Sequence, residues 1–426
     1  MRLALPLPDI DRTKLARPAD ALAAAVAVSL PWSTSVTSIL IVIWLIVLVP
    51  TLDVARVRRE IMSPAGGLPL LLWALGAIGM LWAGDASLKE RFAGLSGFHK
   101  LLLIPLLLAQ FRRSENVKWV IHGFLGSALV LLIASGLFAF VPELRRSVEV
   151  PGVPVKDYIS QSGIFLICGF GLLFFTLEKS QGLSRAIMYG VLAALFLADI
   201  AYVASGRTAF AVMPILILLL GLRRFGWKGL AGALLLAALL AGALWASSPY
   251  MRARIGSLVE ESQQSRTDVI QTSTGQRLEF WRKSLGFVQQ APLFGNGTGS
   301  IKPLFSKAAA GETGAAGVAA DNPHQQTFVV AIQLGLLGAG ILWAMWIAHL
   351  LLFRSLGFVA WLGVVIVVQN IISSLFNSHL FDFSQGWLYV FGVGVLGGAV
   401  LRETGAYGIG AKEDPAALKP GGGALA

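Results

Sequence analysis

Long apolar runs recur along the whole chain, and they constrain its fold more than any other feature. About twelve of them are long enough to cross a hydrocarbon core of roughly 30 Å as α-helices. Backbone groups inside a bilayer must bond within the protein, and the runs lack the alternation typical of a membrane barrel, so we predict helices. The predicted spans lie near residues 18–31, 33–51, 66–83, 98–111, 117–141, 158–177, 186–204, 208–221, 229–246, 327–350, 357–376 and 386–401.

The composition agrees with this interpretation. The chain has 426 residues, of which 56% are hydrophobic and 13% are charged, and its mean hydropathy is +0.72. A soluble domain is usually about a quarter charged. The sequence therefore predicts an all-α integral membrane protein.

The positions of lysine and arginine predict its orientation, because short basic loops stay in the cytoplasm. Most of the basic residues in short segments fall in one alternating set, which includes both ends of the chain. We therefore expect both termini in the cytoplasm. The predicted division is into about nine helices over 1–246, a large, partly helical outer loop over 247–326, about three helices over 327–401, and a disordered cytoplasmic tail over 402–426.

The net charge of +11 does not require a nucleic-acid partner, because the cytoplasmic loops account for most of the excess. The single cysteine, Cys168, lies within a span and excludes a disulfide framework or a cysteine-based metal site. Acidic residues of the outer segments are scattered. We expect neither a metal ion nor a cofactor.

The predicted outer side has more polar residues than loops that only connect membrane spans would need. "DNPHQQTF" (321–328) places His324 immediately before a span, and "SGRTAF" (205–210) places Arg207 at the start of another. Arg207 could instead be an interfacial residue that snorkels, or it could pair with Asp199 in the preceding helix.

A third motif, "TGQRLEFWRKSLGFVQQAPLFGNGTGS" (274–300), predicts an amphipathic helix that ends at its Pro and Gly residues. Its predicted apolar face consists of Leu278, Trp281, Leu285 and Val288. Arg277 falls in the first turn, where a bound anion would offset the unfavourable helix dipole. The alternative is that Arg277 is simply exposed.

Together these three motifs resemble the superfamily of O-antigen ligases and polymerases, and within it they are most similar to lipopolysaccharide O-antigen ligases. The similarity covers the overall topology and, at the level of motifs, residues 205–210 and 274–328. One departure is Gln325, where the family often has asparagine.

The resemblance implies transfer of a polysaccharide from undecaprenyl diphosphate to a sugar hydroxyl of lipid A–core, on the periplasmic side of the bacterial inner membrane. Arginine suits the oxygens of a departing diphosphate, and a neutral imidazole can take the proton of the acceptor hydroxyl. Arg207, Arg277 and His324 match these roles. Weaker candidates for contact with the diphosphate or the glycan are Lys89, Arg91, His99, Arg145, Arg146, Asn322, Gln325 and His379, each of which could also be an ordinary solvated residue.

Other functions remain open at this stage. An O-antigen polymerase and a protein O-oligosaccharyltransferase use the same donor and differ in the acceptor. A transporter of lipid-linked sugars would need polar or broken helices near the middle of the membrane, and the spans contain few ionisable residues. The chain shows no pair of carboxylates of the kind that glycoside hydrolases use.

Overall fold

The computed structural model describes residues 12–145, 151–178, 180, 182–204, 206–247 and 273–405. Over these residues the chain consists of helices and loops, without a strand, as the sequence predicts. The α-helices are α1 (Arg12–Ser29), α2 (Thr34–Leu48), α3 (Val54–Ile61), α4 (Pro64–Gly79), α5 (Leu88–Ser96), α6 (Leu103–Phe111), α7 (Val117–Phe140), α8 (Tyr158–Thr176), α9 (Leu183–Tyr202), α10 (Arg207–Ser247), α11 (Ser273–Gln290), α12 (Ile301–Ala309), α13 (Gln326–Leu352), α14 (Phe358–Ser373) and α15 (Phe383–Thr404).

Seven of the described helices are long and apolar enough to cross a membrane, and the number rises to nine if each of two bent helix pairs forms one span. The bent pairs are α3 with α4, and α5 with the segment His99–Phe111. The predicted runs 208–221 and 229–246 both lie in α10, which bends at Gly226. A multi-pass helical membrane protein is confirmed, and the count of twelve spans stays a prediction.

The loops gather at two ends of the bundle. At one end, which we call the loop face, Lys156 donates to the carbonyl of Leu30, and the N–H of Gln326 donates to the carbonyl of Ser374. The loop face comprises residues 30–33, 80–87, 151–157, 203, 204, 206, 291–300, 310–325 and 374–382. At the other end Arg112 pairs with Glu60 at 3.1 Å. The two ends correspond to the two sets of loops that the charge pattern separates, and their assignment to periplasm and cytoplasm stays a prediction.

Helix α13 is broken at Gly335, about a third of the way along the helix, and a second segment fills the break. The N–H groups after the break donate to the carbonyls of Pro292 and Leu293, at 2.7 and 3.3 Å. The carbonyls before it accept from the N–H groups of Asn296 and Gly297, at 2.8 and 2.9 Å. Because an unpaired backbone group is costly away from water, this exchange is what allows the helix to break. We call residues 291–297 the clasp.

Residues after the clasp tie it to the rest of the bundle. The buried hydroxyl of Thr298 donates to the carbonyl of Gly76 in α4 at 2.6 Å. The N–H of Gly299 donates to the side chain of Gln333 in α13 at 2.8 Å. The clasp therefore fixes the end of α11 against α4 and α13, and α13 begins two residues after His324.

Candidate functional site

Helix α11 carries Arg277 and packs on the loop face through two phenylalanines. Phe280 and Phe287 are buried, whereas Leu278 and Leu285 are 62% and 53% exposed. The helix was predicted correctly, but the apolar face was wrong for Leu278 and Leu285. The larger aromatic side chains turn inward because they pack edge to face on the buried ring of Phe305 in α12.

The backbone at His324 is held in an unusual conformation. Its φ angle is +54°, in the left-handed region that only a few per cent of residues other than glycine adopt, although Asn, Asp and His do so more often than most. Two contacts hold it there: the N–H of His324 donates to the side-chain oxygen of Asn322 at 2.9 Å, and the carbonyl of Pro323 accepts from the indole N–H of Trp281 at 3.2 Å. Helix α11 and the loop before α13 together therefore set the direction of the imidazole.

The imidazole itself is half-buried and has two neighbours of different character. Its face stacks on Phe280, with the ring centroids 6.4 Å apart. Its Nδ1 lies 3.0 Å from the side-chain oxygen of Asn377, in the loop between α14 and α15. The aromatic contact and the hydrogen bond leave Nε2 as the nitrogen that can meet a substrate.

Arg277 lies within electrostatic reach of this loop. It is half-buried, and its charge contributes to the lowered pKa of His379, two residues after Asn377. Arg207 is the first residue of α10, and the next residue, Thr208, lines a small cavity together with His379. The structure thus brings Arg277, the start of α10 and the loop that contacts His324 to one region.

His379 is buried, with 1% of its surface exposed, and neither ring nitrogen has a hydrogen-bond partner among the described residues. Burial lowers the pKa of His379 to about 4; Asp157 opposes this shift and Arg277 adds to it. The ring is therefore neutral near pH 7. A buried imidazole without a hydrogen-bond partner is suited to contact a polar group of a ligand.

Two clefts open on the loop face and meet at one carboxylate. The first, of about 540 Å³, is lined by Lys89, Asn322 and Ser378 among others. The second, of about 460 Å³, is lined by Lys156, Asn377 and His379 among others. Asp382 lines both. Burial raises the pKa of Asp382 to about 6, Lys100 opposes this shift, and Asp157 adds to it.

Several of the weaker candidates have structural contacts. Arg91 donates to the carbonyls of Ala86 and Met80 at 2.9 and 2.8 Å, so its guanidinium holds the turn before α5. Arg145 donates to the carbonyl of Ala139 at 2.7 Å. His99 accepts a hydrogen bond from Trp73, and Gln325 caps α13 by accepting from the N–H of Phe328. Their roles as ligands of a substrate stay predictions, and Arg146 lies outside the described residues.

The carboxylate of Asp199 has contacts other than the predicted one. It accepts hydrogen bonds from Ser135 at 2.5 Å and from Gln161 at 3.3 Å. Asp199 therefore links α7, α8 and α9 near the loop face. The side chain of Arg207 lies outside the described part of the chain, so the pairing of Arg207 with Asp199 stays a prediction.

Sequence reasoning missed Asn377 and Asp382. Both lie in "FNSHLFDFSQ" (376–385), a polar cluster between the last two spans. The cluster has the same composition signal as "DNPHQQTF", with a histidine, an amide and an acid beside an apolar run. The same argument that singled out His324 could therefore have found them.

These observations define the class of the protein. It is a multi-pass helical membrane protein with a polar site between loops at one end of the bundle. Residues 192–343 match the family model described as O-antigen ligase. The match includes Arg207, Arg277 and His324, confirms the resemblance of the motifs, and supports membership of the superfamily of O-antigen ligases and polymerases. No curated protein sequence matches the chain.

Proposed function

We propose that this protein transfers O-antigen polysaccharide from undecaprenyl diphosphate to a sugar hydroxyl of lipid A–core, at the periplasmic face of the bacterial inner membrane. The family points to a membrane glycosyltransferase of the ligase or polymerase type. Within that group, the motifs of this chain resemble those of the ligases most.

The donor is already activated, because a diphosphate is a good leaving group once its charge is stabilised. The bond from the anomeric carbon to the phosphate oxygen breaks, and the electron pair leaves with the diphosphate. Arg277 and Arg207 stabilise that charge, and guanidinium groups suit the task because they stay protonated and bind phosphate oxygens in pairs. The buried His379, whose pKa the charge of Arg277 helps to lower, adds a neutral hydrogen-bond donor.

The acceptor hydroxyl needs a base, because an alcohol is a weak nucleophile. In the proposed reaction Nε2 of His324 takes the hydroxyl proton while the new bond to the anomeric carbon forms. Attack occurs on the face opposite to the departing diphosphate, so the configuration at the anomeric carbon is inverted. No step requires a metal ion, since the arginines already supply the positive charge.

One observation carries the proposal. His324, on a strained backbone, points its ring toward the loop 377–382, and Arg277 acts electrostatically on His379 of that same loop. This observation supports the proposal, because a displacement at a sugar–diphosphate bond needs a base and a positive charge near the same site.

The experiment is a transfer assay with purified protein in nanodiscs. The donor is undecaprenyl-diphosphate O antigen, and the acceptors in separate reactions are rough lipopolysaccharide, further donor and a purified protein acceptor. We expect glycan on lipopolysaccharide only, with an inverted linkage by NMR. Longer glycan on the donor indicates a polymerase, glycan on protein indicates a protein transferase, and translocation in vesicles without a new glycosidic bond indicates a transporter; any of these outcomes overturns the proposal.

A further inference from the structure

A chain of polar contacts extends from His324 to a carboxylate that the sequence analysis did not identify. Nδ1 of His324 lies 3.0 Å from Oδ1 of Asn377. The Nδ2 of the same amide donates to Oδ2 of Asp382 at 3.4 Å. One amide therefore faces the imidazole with its oxygen and the carboxylate with its nitrogen.

The carboxylate of Asp382 fixes the orientation of the Asn377 amide. If the amide were reversed, its oxygen would face the oxygen of Asp382, and two acceptors would repel each other. Its nitrogen would also face Nδ1 of His324. An ionised Asp382 thus holds the oxygen of Asn377 toward the imidazole.

We propose that Asn377, oriented by Asp382, is a positioning residue that fixes the tautomer of His324, with the proton on Nδ1 and the lone pair on Nε2. This inference rests on the proposed function, because it assigns Nε2 as the base that takes the proton of the acceptor hydroxyl. A neutral imidazole has one N–H and one acceptor nitrogen. The oxygen of Asn377 can only accept, so Nδ1 must carry the proton and Nε2 is left to act.

The surroundings of Asp382 allow this orientation near neutral pH. The charged and titratable groups that face Asp382 are Lys100, whose ammonium donates to its backbone carbonyl at 2.7 Å, Asp157, and His379, whose Nε2 lies 3.8 Å from Oδ2. Lys89, Glu90, Lys302 and Asp321 line the first cleft beside it, and Lys156 lines the second. With a pKa raised to about 6, Asp382 is ionised at pH 7.

Single substitutions test the two contacts, between His324 and Asn377 and between Asn377 and Asp382. Asn377→Leu keeps the approximate shape of the side chain and removes the acceptor, and we expect turnover to fall by about 10- to 100-fold, because the base loses its fixed tautomer. Asp382→Asn removes the charge that orients the amide, and we expect a smaller fall. Asp382 makes no side-chain cap to α15, so this variant is expected to fold.

A paired exchange distinguishes orientation from simple structural support. In the double variant Asn377→Asp with Asp382→Asn, the new amide donates to the new carboxylate, and that carboxylate accepts from Nδ1 of His324. We expect turnover above that of either single variant, because the new pair restores both an acceptor at Nδ1 of His324 and a contact that orients it. Failure of the exchange to restore any turnover overturns the proposal.

A double-mutant cycle tests whether Asn377 acts through His324. In the His324→Ala background, Asn377→Leu should cause no further loss of turnover. A loss of the same size as in the wild-type background assigns Asn377 another role and overturns the inference.

The tautomer can also be measured without any activity assay. The chain has five histidines, so ¹⁵N-histidine labelling with solid-state NMR can resolve them. We expect the His324 signal, assigned by its absence from His324→Ala, to report protonated Nδ1, and to change to a mixture of tautomers in Asn377→Leu. Protonated Nε2 in the wild type contradicts the inference. A wild-type protein that has the proton on Nδ1 but shows no transfer activity contradicts only the proposed function.

Discussion

At the scale of single residues, His324 and Arg277 have different kinds of support. His324 has a φ of +54°, a conformation that costs about 1–2 kcal/mol for an ordinary side chain and persists only where surrounding contacts enforce it. Arg277 lies on a regular helix that two buried phenylalanines anchor. The backbone thus places His324, the proposed base, and the packing of α11 places Arg277.

Arg277 can be tested against a matched arginine on the same helix. Arg277→Ala should weaken binding of the lipid-linked donor by about tenfold or more, since hydrogen bonds to charged groups contribute about 1.5–3 kcal/mol. The control is Arg282→Ala, because Arg282 is 73% exposed and pairs with Glu279. The measurement is donor affinity in nanodiscs. Equal affinities of the two variants argue against Arg277 as a ligand of the diphosphate.

The raised pKa of Asp382 predicts that turnover falls as the pH is lowered. Its pKa is raised from 3.8 to about 6, so the carboxylate forms only as pH rises through that value. Turnover should therefore fall as pH drops below about 6, because protonated Asp382 releases the amide of Asn377. Lys100, Asp157 and His379 are the charged or titratable groups that set this value or lie beside the carboxylate.

The check is a pair of pH–rate profiles, for the wild type and Asp382→Asn. The variant should have lower turnover at pH 7.5 and a smaller relative loss between pH 7.5 and 5.5. Parallel profiles would show that the acidic limb has another origin.

At the scale of elements, the break in α13 and the clasp form one structural device. Hydropathy predicted 327–350 as an uninterrupted span, because a kink at one glycine leaves the apolar average unchanged. "APLFGNG" was interpreted only as the end of a helix, whereas its backbone completes the hydrogen bonds of α13. Such an exchange between distant segments leaves no periodic signal in either of them, so the sequence could not predict it.

Two glycines in α13 provide a test of the clasp. Gly335 has a φ of +65°, and a Cβ there would lie 2.2 Å from the carbonyl oxygen of Leu293. Gly335→Ala should therefore destabilise the protein by about 2 kcal/mol or more, because it adds a clash to an unfavourable φ. Gly340→Ala, in the same helix, meets nothing within 4 Å and should be neutral or slightly stabilising.

The two variants are compared by thermal unfolding in detergent, followed by size-exclusion chromatography. We expect a lower Tm for Gly335→Ala only. An unchanged Tm for this variant would mean that the clasp contributes little to stability.

At the scale of the whole molecule, the sequence predicted the membrane class, the helical fold and the resemblance to O-antigen ligases, which the family match over residues 192–343 supports. Those predictions rest on long apolar runs and on the motifs at 205–210, 274–300 and 321–328, each of which can be recognised within one short stretch of sequence. The sequence could not predict the close approach of residues 321–325 and 374–382, because these segments are separated by two helices. Charge alone singled out Arg91 as a weaker candidate for substrate contact, and the sequence could not predict that its guanidinium donates to two backbone carbonyls.

Permanent cations in place of a metal ion predict resistance to chelators. Transfer activity should be unchanged after dialysis against EDTA, because arginine charge does not depend on a bound ion. The measurement is the initial rate before and after treatment, with added Mg²⁺ or Mn²⁺ in a parallel reaction. Activity that is lost in EDTA and returns with either metal would refute the metal-independent reaction.

The most direct measurement is the rate of glycan transfer from undecaprenyl diphosphate to rough lipopolysaccharide by His324→Asn, with donor affinity measured on the same sample. Asparagine tolerates the positive φ at this position, so the variant should fold. We predict wild-type donor affinity and a rate lower by about 10²- to 10⁴-fold, since general base catalysis contributes that much. His122→Ala, at an exposed position in α7, should match the wild type. Transfer by folded His324→Asn at the wild-type rate would contradict the role of His324 as the base.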